Sequence, residues 1–129
     1  MYKLAIHQSA GGDLEALAQL PETAQVAAKV FELARELRAN PSLLVNLLDH
    51  GYRTNEIDVS RFQAHWRRGK DLWRLKLWDL EDAGLRYRII YAYDVRSYCF
   101  HLLAVAPREF DYDDQHPLTQ RILRDYGDL

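Results

Sequence analysis

The second half of the chain contains three runs of aromatic and branched residues that are separated by two short polar segments. The runs extend from Leu72 to Leu80, from Arg86 to Tyr93 and from Tyr98 to Val105. Such residues favour β-strands, and the intervening residues 81–84 and 94–97 have the composition of hairpin loops. The pattern predicts three consecutive strands that pair as an antiparallel meander, and this constrains the fold more than any other feature of the sequence.

The first half of the chain follows a helical period after one short strand. Tyr2, Leu4 and Ile6 alternate with Lys3, Ala5 and His7, and this period of two predicts a strand that Gly11-Gly12 ends. Asp13 is placed to cap a brief helix. From Thr23 to about Arg38, apolar residues recur at every third or fourth position, which predicts an amphipathic helix. Asn40 before Pro41 predicts a further helix that runs to Gly51.

The remaining segments complete an α+β domain that covers residues 1–129. Residues 56–59 predict a short strand, Ser60 a single turn, and His116-Pro117 the start of a C-terminal helix. We therefore expect a small antiparallel β-sheet with a helical hairpin packed on one face and a C-terminal helix.

Composition excludes several classes of protein. The single Cys99 permits no intramolecular disulfide and no cysteine-based zinc site, and the histidines have no metal-ligand spacing. The chain has no apolar stretch long enough to cross a membrane and no signal-peptide pattern, so we expect a cytoplasmic protein. Ser60, Ser97 and Cys99 have no adjacent base in the sequence, which gives no support for a nucleophilic hydrolase.

Positive charge is concentrated in the middle of the chain. Residues 61–108 have a net charge of +5, between flanking segments with net charges of −3 and −4, and they contain all three tryptophans. Arginines interleaved with aromatic residues on strands can hold a nucleic-acid backbone and stack bases. The same pattern is also typical of a solvated sheet face, and the charge alone favours this second interpretation.

Three segments of this basic region carry a resemblance to a known family. They are Asp71 to Leu77, Tyr87 to Tyr91 with Arg88 at its second position, and Ala106 to Tyr112 with Arg108 followed by Tyr112. Their order and spacing resemble RelE-type toxins of the RelE/ParE toxin–antitoxin superfamily, most closely over residues 57–126. The resemblance implies an endoribonuclease that cleaves mRNA, usually on the ribosome, without a metal or cofactor, and that a cognate antitoxin neutralises.

The resemblance and the chemistry of RNA cleavage together indicate the site residues. The reaction needs cations around the phosphate and groups that move protons. We expect Arg88 to grip the scissile phosphate, with Arg108, Tyr112 and Lys76 as further catalytic residues. The expected RNA-binding residues are Arg74, Trp73, Arg67 and Arg68.

Other interpretations of these residues remain open. Arg88 can instead pair with Asp94 or Asp79 on the sheet surface, and Arg108 with Tyr112 can anchor the acidic loop that follows. ParE-like members of the superfamily are implied to inhibit DNA gyrase without cutting RNA, and a non-catalytic interaction module of the same fold is a further alternative.

Overall fold

A five-stranded sheet organises the chain. The computed structural model describes residues 1–112 and 115–129, with the backbone alone for residues 111 and 112. Within these ranges the strands are β1 (Lys3–Ile6), β2 (Ile57–Arg61), β3 (Leu72–Leu77), β4 (Tyr87–Asp94) and β5 (Cys99–Pro107). The helices are α1 (Gln8–Gln19), α2 (Ala24–Ala39), α3 (Gln63–Trp66), α4 (Trp78–Asp82) and α5 (Pro117–Gly127), with 3₁₀ helices at Pro41–Leu48 and Arg108–Tyr112. This is the α+β class that the sequence predicts.

The sheet is mixed, whereas the sequence predicted an antiparallel one. The strand order is β1-β5-β4-β3-β2, and β1 runs parallel to β5 while the other neighbours are antiparallel. The predicted meander of β3, β4 and β5 is confirmed. The error concerns β1, because its alternation marks a strand but no short hairpin fixes its neighbour or direction.

One face of the sheet packs against α1, α2 and the first 3₁₀ helix, and we call it the helical face. Val26, Val30 and Ala34 of α2 are buried in the same core as Leu75 and Tyr91 of the sheet. The helix predicted from Thr23 to about Arg38 is therefore confirmed to within a residue or two. The buried Tyr91 hydroxyl donates a hydrogen bond to the Leu47 carbonyl at 2.7 Å, which ties the 3₁₀ helix to the sheet.

The N-terminal helix begins earlier than predicted. His7 caps α1 by accepting a hydrogen bond from the Ser9 N–H at 3.0 Å, so Gly11 and Gly12 lie inside the helix. Asp13 caps nothing and instead accepts a hydrogen bond from the Val105 N–H at 3.1 Å. The helix predicted from Asn40 to Gly51 is a 3₁₀ helix that ends at Leu48.

The opposite face of the sheet is partly covered by α5. Ile122 packs in a second cluster with Leu72, Ile90 and Leu103, where a register shift interrupts the pairing of β4 and β5. Arg121 holds this helix in place by donating to both carboxylate oxygens of Asp13, at 2.9 and 2.7 Å. Polar residues of β2, β3 and β4 lie on the same face beyond this cluster.

The segment between β3 and β4 differs from its prediction. The third strand ends at Leu77 instead of Leu80, and residues 78–82 form α4 where the sequence predicted the end of a strand and a loop. Gly84 follows with a φ of 78°, a left-handed conformation that favours glycine.

In the described part of the chain, no helix is long and apolar enough to cross a membrane.

Candidate functional site: a basic groove

A groove of about 460 Å³ opens on the face of the sheet that carries α5. We call it the basic groove. Its lining side chains come from β2, β3, α4 and β4, and from two arginines, one directly before β4 and one directly after β5. They are Asp58, Ser60, Arg74, Lys76, Glu81, Arg86, Arg88 and Arg108.

Strand alternation and register bring these residues together. Side chains two positions apart point to the same face of a strand, so Arg74 and Lys76 project together from β3. Lys76 pairs in register with Asp58 of β2, and Arg88 of β4 pairs with Ala106 of β5. Arg108 follows β5, and its N–H donates to the Arg86 carbonyl at 2.9 Å. The groove therefore joins residues that are up to 50 positions apart in the sequence.

Arg88 is the most enclosed cation of the groove, with 8% of its surface exposed. Its Nη1 donates to the Glu81 carboxylate in a short contact and to the Tyr87 carbonyl at 3.1 Å. The Nε and Nη2 atoms form no hydrogen bond with the described part of the chain. Arg88 is thus held through one nitrogen, and the described residues leave two others for a ligand such as a phosphate, which a guanidinium can bind through two nitrogens at once.

The partners that the sequence suggested for Arg88 are occupied elsewhere. Asp79 accepts a hydrogen bond from Lys29 at 3.1 Å, and Asp94 accepts one from Arg96 at 3.1 Å. The Arg96 contact, together with a hydrogen bond from Ser97, lowers the pKa of Asp94. The counter-charge of Arg88 is instead Glu81, on a helix that the sequence did not predict.

The other cations of the groove are less enclosed than Arg88. Lys76 lies 3.9 Å from the Asp58 carboxylate and 5.0 Å from the centre of the Trp78 ring. The Arg74 guanidinium lies 5.3 Å from the centre of the Phe62 ring. Arg86 is exposed at the rim. Five cations face two carboxylates, a net charge of +3 in a concave site, which attracts anions and raises their local concentration.

The structure therefore brings together four of the eight predicted site residues: Arg74, Lys76, Arg88 and Arg108. Trp73 lies on the helical face and is 3% exposed, with its Nε1 donating to Asp71 at 2.8 Å. Its ring is enclosed, since the ring centres of Trp66 and Tyr91 lie 5.7 and 6.3 Å away, so Trp73 is not available to stack on a base.

Arg67 and Arg68 lie at the turn after α3 and do not line the basic groove. The side chain of the predicted catalytic residue Tyr112 lies outside the described residues, as do Asp113 and Asp114 of the acidic loop.

Sequence reasoning missed four residues of the groove: Asp58, Ser60, Glu81 and Arg86. Asp58 carried a usable signal, because a strand at 56–59 paired with β3 places it beside Lys76. Ser60 did not, since it was predicted to begin a turn, whereas it lies in β2 and pairs in register with Arg74. Glu81 carried none, since a carboxylate in an expected loop resembles any solvated acid.

No cluster of metal ligands accompanies the groove among the described residues, where no three His, Cys, Asp or Glu side chains are grouped to hold an ion. The chain was compared with protein-family models, with curated proteins and with solved structures, and no match was found in any of the three.

Proposed function

We propose that this protein is a RelE-like toxin that cleaves mRNA by attack of a ribose 2′-hydroxyl on the adjacent phosphorus. The observation that carries the proposal is the convergence of Arg74, Lys76, Arg88 and Arg108 on one groove. Cleavage of this kind needs little beyond positioned cations and proton transfer, because the nucleophile belongs to the RNA itself.

Arg88 is the residue that stabilises the transition state. Its guanidinium is held by Glu81 and the Tyr87 carbonyl, so little reorganisation is required when negative charge develops on the phosphate oxygens. Arg108 and Arg74 approach the groove from neighbouring segments and hold the flanking phosphates. Arg86, exposed at the rim, contributes to affinity more than to chemistry.

Two groups supply the proton transfers. Glu81 is a carboxylate inside the groove and takes the proton of the 2′-hydroxyl as the new O–P bond forms. Lys76 is an ammonium group and gives a proton to the departing 5′-oxygen as the old P–O bond breaks. The products are a 2′,3′-cyclic phosphate and a 5′-hydroxyl, and Tyr112 is a further candidate for proton transfer.

The lining of the basic groove also indicates what it does not recognise. None of the described lining side chains is aromatic or apolar, so the groove suits phosphate and ribose better than bases. Sequence preference would then come from outside the groove. This agrees with the expectation that the substrate is mRNA presented by the ribosome.

The test is mRNA cleavage by the purified chain, with and without translating ribosomes and with EDTA present throughout. We expect cleavage in EDTA that falls by about two orders of magnitude or more in Arg88→Ala. Arg35→Ala, an exposed arginine of α2 outside the groove, is the matched control and should retain full activity.

A further variant separates binding from proton transfer. Glu81→Gln should lose cleavage yet keep its affinity for an RNA whose 2′-hydroxyls are methylated, because removal of a negative charge does not weaken phosphate binding. Lack of cleavage by the wild-type chain in every condition would overturn the nuclease proposal. Inhibition of DNA supercoiling by that same chain would then favour the gyrase alternative.

A further inference from the structure

A second groove lies at the edge of the helical face, and nothing in the proposed nuclease activity uses it. It consists of two adjoining cavities of about 210 and 200 Å³, between α2, the segment 43–57, the end of β3 and the start of α4. The cavities share Leu33, Glu36 and Glu56, so they form one continuous depression. We call it the acidic groove.

Aliphatic side chains form the floor of the acidic groove, and Asn46, Tyr52, Thr54 and Asn55 complete its lining. Leu37, Leu47 and Leu77 are buried, while Leu33, Leu43 and Ile57 remain half-buried along it. Partly exposed aliphatic side chains in a depression leave apolar surface that a ligand can still remove from water.

The rim of the acidic groove carries four carboxylates: Glu32, Glu36, Glu56 and Asp79. Its single cation among the described lining residues, Lys29, contacts Asp79 at 3.1 Å and Glu32 at 3.8 Å, which raises the pKa of Lys29. The lining therefore has a net charge of −3.

The two shared carboxylates have no counter-charge among the residues that the structure describes. The side chains of Glu36 and Glu56 are exposed, and neither forms an ion pair or a hydrogen bond with the described part of the chain. Like charges close together repel each other, and cations from a partner would relieve that repulsion. Unpaired carboxylates above an apolar floor are complementary to a ligand with both positive and aliphatic groups.

We propose that the acidic groove binds a protein segment in which lysine or arginine residues alternate with leucine-like residues. The aliphatic side chains would pack on Leu33 and Ile57, and the cations would pair with Glu36 and Glu56. A nucleic acid is excluded by its charge. A second copy of this chain fits less well, because its basic groove supplies cations without apolar side chains.

The probe for this proposal is a short amphipathic peptide of leucine and lysine, with binding measured by calorimetry on the full chain in the absence of RNA. One control peptide replaces every lysine by glutamate, and another replaces every leucine by serine. We expect binding of the first peptide only, and an affinity that falls as salt is added.

Charge reversal provides the matched comparison. The double variant Glu36→Lys with Glu56→Lys should weaken binding of the peptide by about ten-fold or more. The control pair Glu15→Lys with Glu22→Lys changes the net charge equally at exposed positions outside the groove and should leave the affinity unchanged. Circular dichroism and thermal unfolding verify that both double variants are folded.

Equal weakening by both pairs of substitutions would overturn the proposal, since attraction would then depend on net charge alone. The proposal would also be overturned if addition of the peptide changed the NMR chemical shifts of backbone amides outside α2 and β2 instead of those within them. Self-association of the wild-type chain that Glu36→Lys with Glu56→Lys abolishes would identify a second copy as the occupant and contradict a separate partner. These results do not depend on the nuclease test, because no RNA is present.

Discussion

The two grooves use neighbouring residues of the same elements yet have opposite character. Strand β2 supplies Ile57 to the acidic groove and Asp58 to the basic groove, and β3 supplies Leu77 to the first and Lys76 to the second. Successive side chains of a strand point to opposite faces, so a shift by a single residue would exchange the two linings. The net charge of the whole chain, at −2, hides this separation entirely.

The grooves also differ in their floors. The basic groove is lined by charged and hydroxyl groups, whereas the acidic groove has leucines beneath its carboxylates. A polar, cationic surface suits phosphate and sugar, and an apolar floor with a charged rim is typical of protein contacts. The comparison is consistent with the two proposals, an RNA on one side of the sheet and a protein segment on the other.

The largest effect on stability should come from the helical face. Leu75 is 2% exposed in the core beneath α2, and Leu75→Ala should lower the free energy of unfolding by about 2–5 kcal/mol. Arg86→Ala, on the rim of the basic groove, should change it by about 0.5 kcal/mol or less. Urea denaturation measures the free energy of unfolding of both variants, and a similar loss in the two would contradict the distinction between the buried core and the exposed rim of the basic groove.

A smaller loss should follow from release of α5. Asp13→Ala removes the acceptor of two Arg121 hydrogen bonds and one from the Val105 N–H, and we expect destabilisation of about 1–3 kcal/mol. Glu15→Ala, exposed on the same helix, is the control. A double-mutant cycle with Arg121→Ala isolates the pairwise energy, and a coupling near zero would show that α5 is held by its apolar contacts alone.

The third prediction concerns the affinity of the basic groove for RNA. Arg86→Ala should weaken binding of a 2′-O-methylated single strand evenly across sequences and reduce the salt slope by about 0.7, the value for one phosphate contact. Arg35→Ala should leave the slope unchanged. Titrations at several salt concentrations measure it, and a slope that is insensitive to Arg86 would place the RNA elsewhere.

The smallest expected effect is a pH dependence of stability that arises from His101. Burial lowers the pKa of His101 below 6.5; Asp94 acts in the opposite direction, and His7 lowers the pKa further. The neutral imidazole is favoured in the folded chain, so its contribution to stability is present above pH 6.5 and is lost as the pH falls through the folded pKa. An NMR titration of His101 that gives a pKa at or above 6.5 would contradict this.

The sequence was sufficient to predict the strands where the residue pattern of each strand agreed with the hairpin composition of the segments between them. The runs that became β3, β4 and β5 fixed three strands, and alternation then placed Arg74 and Lys76 on one side and Arg88 on the same side of the next strand. Trp73 was predicted as an RNA contact, but its position one residue from Arg74 puts it on the opposite face. Once the buried face of β3 is known, the alternation of side chains along the strand is sufficient to place Trp73 in the core.

Other features depended on contacts that no local pattern shows. The parallel pairing of β1 with β5 and the contact of Asp13 with Arg121 join residues that are distant in the sequence. Glu81 lies beside Arg88 because it belongs to α4, a helix that the sequence did not predict. Gly11-Gly12 was predicted to be a break, yet the helix continues through both because Ala10 and Leu14 are buried on either side of them.

The parallel pairing of β1 has a consequence for how the chain folds. Lys3 pairs with Cys99, and Asp13 binds Arg121 across 108 positions, so the N-terminal strand and helix cannot complete their contacts until residues as far along as Arg121 are present. Contacts of high sequence separation require closure of long loops and are slow to form. During synthesis, the hairpins of β3, β4 and β5 can form first. Strand β1, which leaves the ribosome before the others, is then among the last to be paired.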